Sequence, residues 1–280
     1  INEKELNEYI EKGGRDEATK EAESCYESIP DLQKSKTAAI QDCKKLVKKV
    51  ANEATGRELA ADAKSQMTDS DIVRMLRSGA SEKAADTMKA VKKSLDLAKK
   101  ALTDATDEAT KKEYEAKVRS FENDKYERVR DSLESRLLRR PTKTEAKDYV
   151  NKGAVRAAMD AVKSAAKAKK SNVTIAKEDA RGILEENIAD ALGVSVDEIK
   201  GRPEKVEKLL RKGVQLEVSD KIKAATQAGE SKDAVKAATR QAIKDTLGEE
   251  EVTDTLVGRV RRESAKNEVK NLKASGADEE

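Results

Sequence analysis

Ala84-Ala-Asp-Thr-Met88-Lys-Ala-Val91-Lys-Lys-Ser-Leu95-Asp-Leu-Ala98-Lys-Lys-Ala-Leu102-Thr-Asp-Ala105 sets its numbered apolar residues alternately four and three positions apart. That is the period of one face of an α-helix; a strand would alternate in twos. After a short Thr/Asp-rich break, Tyr114, Val118, Phe121, Tyr126, Val129, Leu133 and Leu137 nearly repeat the rhythm. The two stripes predict an antiparallel helical pair, about five or six turns long. A third heptad-like set, Ala39, Cys43, Leu46, Val50 and Ala54, predicts a further amphipathic helix upstream.

Composition agrees with thin helix-on-helix contacts. Hydrophobic residues make up 36%, charged residues 40% and aromatic residues 2%, with five Tyr, one Phe and no Trp. Large side chains bury the most apolar area, so a single thick core is not expected. Alanine seams flanked by the long stems of Lys and Glu fit better. High charge with few aromatics is also a signature of disorder. Here 58 basic residues nearly balance 55 acidic ones, for a net charge of +3, and the apolar residues keep helical period. An ordered chain is expected.

Punctuation places the helix ends. Pro30, Pro141 and Pro203 fall where helices should start or stop. Thr68-Asp-Ser-Asp71 and Ser195-Val-Asp-Glu198 read as capping boxes, in which the two ends of a four-residue unit satisfy each other's amides. Gly193, Gly213, Gly229 and Gly248 follow periodic segments and are expected as left-handed C-caps.

Four segments share a helix–glycine–helix outline, centred on Gly13, Gly79, Gly153 and Gly229, with spacings of 66, 74 and 76 residues. Lys89-Ala-Val-Lys-Lys, Asp160-Ala-Val-Lys-Ser and Asp233-Ala-Val-Lys-Ala echo one another downstream of the last three outlines. The fold class expected is all-α: about ten helices in elongated hairpins or a bundle, or a stack of degenerate units of roughly 70 residues. Candidate units are 1–67, 68–141, 142–214 and 215–280.

Chemistry is mostly excluded. Without histidine the chain lacks the usual general base at neutral pH, the Ser–His and Cys–His nucleophiles and the commonest metal ligand. No Walker loop or dinucleotide-type glycine run occurs. Glu185-Glu186 and Glu249-Glu-Glu251 read as solvated helix ends rather than a metal site. No enzyme active site, cofactor or metal is expected. Nor does the chain show 18 consecutive apolar residues or a signal-peptide pattern, so no membrane insertion is expected. It begins at Ile1 rather than Met, which reads as a processed chain or a segment of something longer.

Three features remain as candidates. Cys25 and Cys43 flank Pro30; a helical hairpin there would bring the sulfurs together in a disulfide, and two separate buried thiols are the plainer reading. Residues 185–199 have helix-turn-helix spacing at Ala189, Gly193 and Ile199. Asp197 and Glu198 fall where a DNA reader would meet phosphate, so a plain connector is expected. Basic runs occur at Arg136-Leu-Leu-Arg139-Arg140, at Lys163, Lys167, Lys169 and Lys170, and at Arg259-Val-Arg261-Arg262. Arg139, Arg140, Lys169, Lys170, Arg261 and Arg262 are the contacts expected toward nucleic acid or an acidic partner, if one face collects them. No aromatic residue interleaves these runs, which leaves base stacking unsupported. The functional expectation is a structural or scaffolding protein that packs helices against itself or a larger assembly, such as a virion component or a cellular filament. The alternative is a nucleic-acid packaging or organising protein.

Overall fold

The computed structural model describes residues 3–34, 36–57, 66–170, 177–227, 229, 231–247 and 252–274. Among the described residues every α-element is a helix and no strand occurs: α1 (Glu3–Ser28), α2 (Thr37–Ala54), α3 (Asp69–Asp104), α4 (Glu108–Leu137), α5 (Lys143–Lys170), α6 (Lys177–Leu192), α7 (Val196–Lys200), α8 (Pro203–Gln227), α9 (Lys232–Leu247) and α10 (Asp254–Ala274), with one 3-10 turn at Asp31–Gln33. The chain forms two compact units, residues 1–151 and 152–280. The sequence reading had four. Residues 1–67 and 68–141 pack as one body because α1 lies against both α3 and α4. Neither 141/142 nor 214/215 is a seam between units. The division between units falls inside α5, and α8 runs unbroken through 214/215.

Local chemistry sets the helix ends. The Thr68 hydroxyl accepts from the Asp71 amide at 3.2 Å while the Asp71 carboxylate accepts from the Thr68 amide at 2.9 Å, a complete capping box. Asp107 caps α4 by accepting from the Thr110 amide, and Ser195 caps α7 by accepting from the Glu198 amide. Thr142 and Glu145 exchange the same pair of bonds at the head of α5. Pro203 is the first residue of α8, where its missing amide proton costs nothing. At the end of α4, Leu138 adopts the left-handed region (φ 57°) that usually belongs to glycine. Its side chain is 2% exposed, so apolar burial offsets a strain of about 1 kcal/mol.

Unit 1 holds the expected antiparallel pair. Thr87 bonds Ser132 at 2.9 Å and Lys99 meets Glu122 at 3.0 Å across it. Ala84, Met88, Val91, Ala98, Val129 and Leu133 are buried along its seam. The α2 stripe differs from the reading. Cys43, Val47 and Ala51 are buried, while Leu46 is 46% exposed. The buried positions advance in steps of four rather than in the four–three alternation of a coiled coil. Unit 2 has its own core, in which Val214 and Val218 of α8 pack with Ala242 and Ile243 of α9 and with Val257 and Val260 of α10.

The glycines correct the repeat outline. Gly13, Gly79 and Gly153 lie inside the continuous helices α1, α3 and α5, and Gly213 lies inside α8; none separates two helices. Of the expected left-handed caps, Gly193 and Gly229 have positive φ, and Gly248 is outside the described residues. The buried glycines instead mark close crossings. A Cβ on Gly79 would stand 2.2 Å from Thr19 Cγ2 of α1, one on Gly14 2.4 Å from Thr55 Cγ2, and one on Gly213 2.3 Å from Met159 of α5.

Replacing Gly79 by Ala should therefore destabilise unit 1. Overpacking typically costs about 1–3 kcal/mol against a helix-propensity gain of about 1 kcal/mol. Thr19 has little freedom to yield, since its hydroxyl bonds the carbonyls of Arg15 and Asp16. In a Thr19→Ala background the penalty of Gly79→Ala should largely vanish, and a denaturant double-mutant cycle reads that coupling.

Candidate functional site

The basic run at the end of α4 is the most organised polar cluster in unit 1. Arg136 points inward, donating to the Glu23 carboxylate of α1 at 2.6 Å and to the Gly79 carbonyl of α3 at 2.9 Å. One guanidinium thus links three helices. Beside it, Tyr26 of α1 donates to Glu134 at 2.6 Å. Burial pushes the Tyr26 phenol up, and the Glu134 carboxylate raises it further. Arg140 spreads over Asp131 at 2.6 Å, Glu134 at 3.2 Å and Glu127 at 3.4 Å. Arg139 makes a two-pronged contact with Glu145, at 2.5 and 3.0 Å. That guanidinium, helped by the Thr142 amide, lowers the Glu145 carboxyl from 4.5 to about 2.

This arrangement changes the reading of Arg139 and Arg140. Both are exposed, yet both already face carboxylates of their own chain. An incoming phosphate would have to displace those partners, which removes most of the counterion-release gain that drives binding to nucleic acid. Thr142-Lys-Thr-Glu145 carries the spacing that signals such a cap, and the sequence reading passed over it.

The other candidates lie in unit 2. Lys163 meets Glu217 at 3.6 Å. Lys169 and Lys170 close α5, and their side chains fall outside the described part of the structure. Arg261 is half-buried and Arg262 exposed on α10; among the described residues neither forms an ion pair. The six cations are thus divided between the two units. Nearby, Glu204, Glu207, Lys208, Arg211 and Lys212 of α8 face Leu256, Arg259 and Glu263 of α10 across an open groove. Its charges are of both signs, and Glu207 pairs with Arg211 at 2.5 Å.

Glu185, 5% exposed, is held by Arg181 at 2.9 Å, and Glu249 to Glu251 lie outside the described residues. Among the described residues no group of three metal-ligating side chains comes together, and no helix is long and apolar enough to cross a membrane. In the 185–199 segment, α7 has only five residues. It buries Ile199 and carries exposed Asp197 in its first turn.

Cys25 and Cys43 are joined as a disulfide, with Cα atoms 5.7 Å apart, rather than standing as two thiols. The bond ties the end of α1 to the start of α2 across a separation of 18 residues, beside the core of Ala18, Ala22, Val47 and Ala51.

Comparison with protein families, with curated proteins and with solved structures finds no match for this chain. Its functional reading therefore rests on its own residues.

Two outcomes follow from these contacts. Opening the disulfide with a reductant, or replacing both cysteines by Ala, should lower stability by about 3 kcal/mol, the loop-entropy value for a closure of this length. Paired thermal melts with and without reductant measure it. Glu145, whose folded pKa lies below its ordinary 4.5, contributes stability that is complete above about pH 5 and is lost as pH falls toward about 2. Glu145→Gln should flatten the stability profile in that acid range and leave its slope at neutral pH unchanged.

Proposed function

We propose that this chain is a structural component, working by packing its helices against copies of itself or against a larger assembly such as a virion or a filament. The observation that carries the reading is the set of large apolar side chains left on the outside of long helices. Tyr9 is 77% exposed, Leu97 61%, Val269 51%, Leu6 49% and Ile183 47%. Leu6 and Tyr9 lie three residues apart, on one face of α1. In a chain so poor in such residues, spending them on the surface favours a partner over a solvated face. The polar clusters support the same view. They cross-link helices within a unit, as Arg136 does between α1, α3 and α4. The reading assigns the chain no reaction, cofactor or metal.

A nucleic-acid role is the alternative, favoured by Arg261 and Arg262, which form no ion pair among the described residues. It draws little from Arg139 and Arg140, already engaged by Glu145 and Asp131.

Light scattering over a hundredfold concentration range, alone and in an extract of its source, tests the two readings. The assembly reading expects masses that rise above 30.7 kDa in at least one of those conditions. A chain that stays at the single-copy mass throughout, and that retards DNA or RNA at low but not high salt, belongs to the alternative.

A further inference from the structure

Gly13 and Gly258 lie inside α1 and α10, yet a Cβ built on either meets nothing within 4 Å. Gly14, Gly79 and Gly213 differ, since each faces a side chain of another element at 2.4 Å or less. Glycine weakens a helix interior relative to alanine. At Gly13 and Gly258 it leaves room on the outer surface that the chain itself does not fill.

Both glycines stand among exposed side chains. Leu6, Tyr9 and Gly13 follow one another by three and four along the outer face of α1, opposite the buried Ala18 and Ala22. Gly258, Arg262, Ala265 and Val269 follow by four, three and four along α10, whose Val257, Val260 and Ser264 turn to the core. Leu6, Tyr9 and Val269 are three of the large apolar side chains left outside, and each shares its face with one of these glycines.

The two helices carry opposite charge over equal lengths. Residues 3–17 hold six carboxylates against three cations, and residues 259–273 hold six cations against two carboxylates. Whole helices keep the same signs: nine carboxylates against four cations on α1, six cations against three carboxylates on α10. Glu11 and Arg15 are taken by Arg57 and Glu82, one of each sign, which leaves the balance of α1 unchanged. Lys266 and Glu263 offset each other within α10. Laid antiparallel, the two faces set Leu6 and Tyr9 on Val269, Gly13 beside Ala265, and Asp16 and Glu17 beside Arg262. Lys20 then falls opposite Gly258, where there is room for its stem. Laying α1 on α1, or α10 on α10, would oppose like charges.

We infer that α1 of one copy docks antiparallel on α10 of a second copy, with Gly13 and Ala265 where the two backbones come closest. The inference rests on the assembly reading above and names its partner and its two faces. Because the faces differ, the contact is head-to-tail, and copies joined this way add into chains or close into rings. One helix pair about 22 Å long is a small contact beside the ~800 Å² per partner of a standard interface. Association is therefore weak, sensitive to salt and strongest at high concentration.

Sedimentation of the full chain over a wide concentration range, at low and high salt, tests this with three variants. The wild-type chain should self-associate reversibly, and less at high salt. Gly13→Gln should raise the melting temperature, because it improves the helix, and yet weaken association at least tenfold, because it blocks the approach. Asp16→Lys/Glu17→Lys and Arg259→Glu/Arg262→Glu should each associate at least tenfold more weakly alone. Their equimolar mixture should recover the wild-type mass, since reversed α1 then meets reversed α10. Circular dichroism checks that helix content is kept. A wild-type chain that stays single at every concentration overturns the α1–α10 contact, while packing against other proteins would still stand. Variants that associate like wild type also overturn it, and leave self-assembly through a different face. Charge variants that weaken association without recovery on mixing overturn the pairing of these two helices.

Discussion

At the crossing of α1 and α3, the backbone of Gly79 comes so near Thr19 that even a methyl group would stand 2.2 Å from its Cγ2. The rest of unit 1 depends on that closeness. A chain with one Phe and no Trp gains little area from any single side chain, so its helices exclude water by approaching one another. Ala18, Ala22, Ala51, Ala80 and Ala84 are fully buried at these contacts. Gly14 plays the same part against Thr55, and in unit 2 Gly213 does so against Met159. Dispersion falls steeply with distance, which makes such contacts intolerant of one added carbon and effective without large residues.

Close packing of small residues leaves the flanks to charge. With 40% charged residues the chain has many cations to place, and the best-ordered of them turn toward their own carboxylates. Arg136 reaches Glu23 and a main-chain carbonyl on two other helices, and Arg139 and Arg140 fold back over Glu145, Asp131 and Glu134. Surface pairs of this kind contribute little each. Their effect here is to orient: Arg136, partly shielded and bonded on two sides, sets the position of α1 on the hairpin. The Cys25–Cys43 bond adds a covalent limit at the same end of α1, two residues beyond Glu23. The cations that looked like a surface for phosphate are, in unit 1, parts of the scaffold.

The apolar side chains that remain outside then carry the functional argument. They are few and they sit on long helices. On the α3–α4 hairpin Leu97 is exposed, and the seam positions Leu102 and Phe121 are half-buried. Thin contacts between helices leave faces of the kind by which helices meet one another.

The amino-acid sequence alone determined that the described chain is helical, where most helices begin, and which faces of α3 and α4 meet. Periodicity and caps act between residues within about four positions, and Thr68–Asp71 and the Met88–Leu133 seam were legible for that reason. Only the tertiary structure decided the rest. It turned α2 so that Val47 is buried and Leu46 exposed, because α2 packs the face of Cys43, Val47 and Ala51 into the core shared with α1. It put Gly13, Gly79 and Gly153 inside helices where spacing suggested breaks; at Gly79 the missing Cβ serves the approach of Thr19 rather than a turn. It joined 1–67 to 68–141 in one body, and it occupied Arg136 with Glu23, a partner 113 positions away. Contacts of that separation depend on how whole helices cross, and no local pattern of residues encodes the crossing.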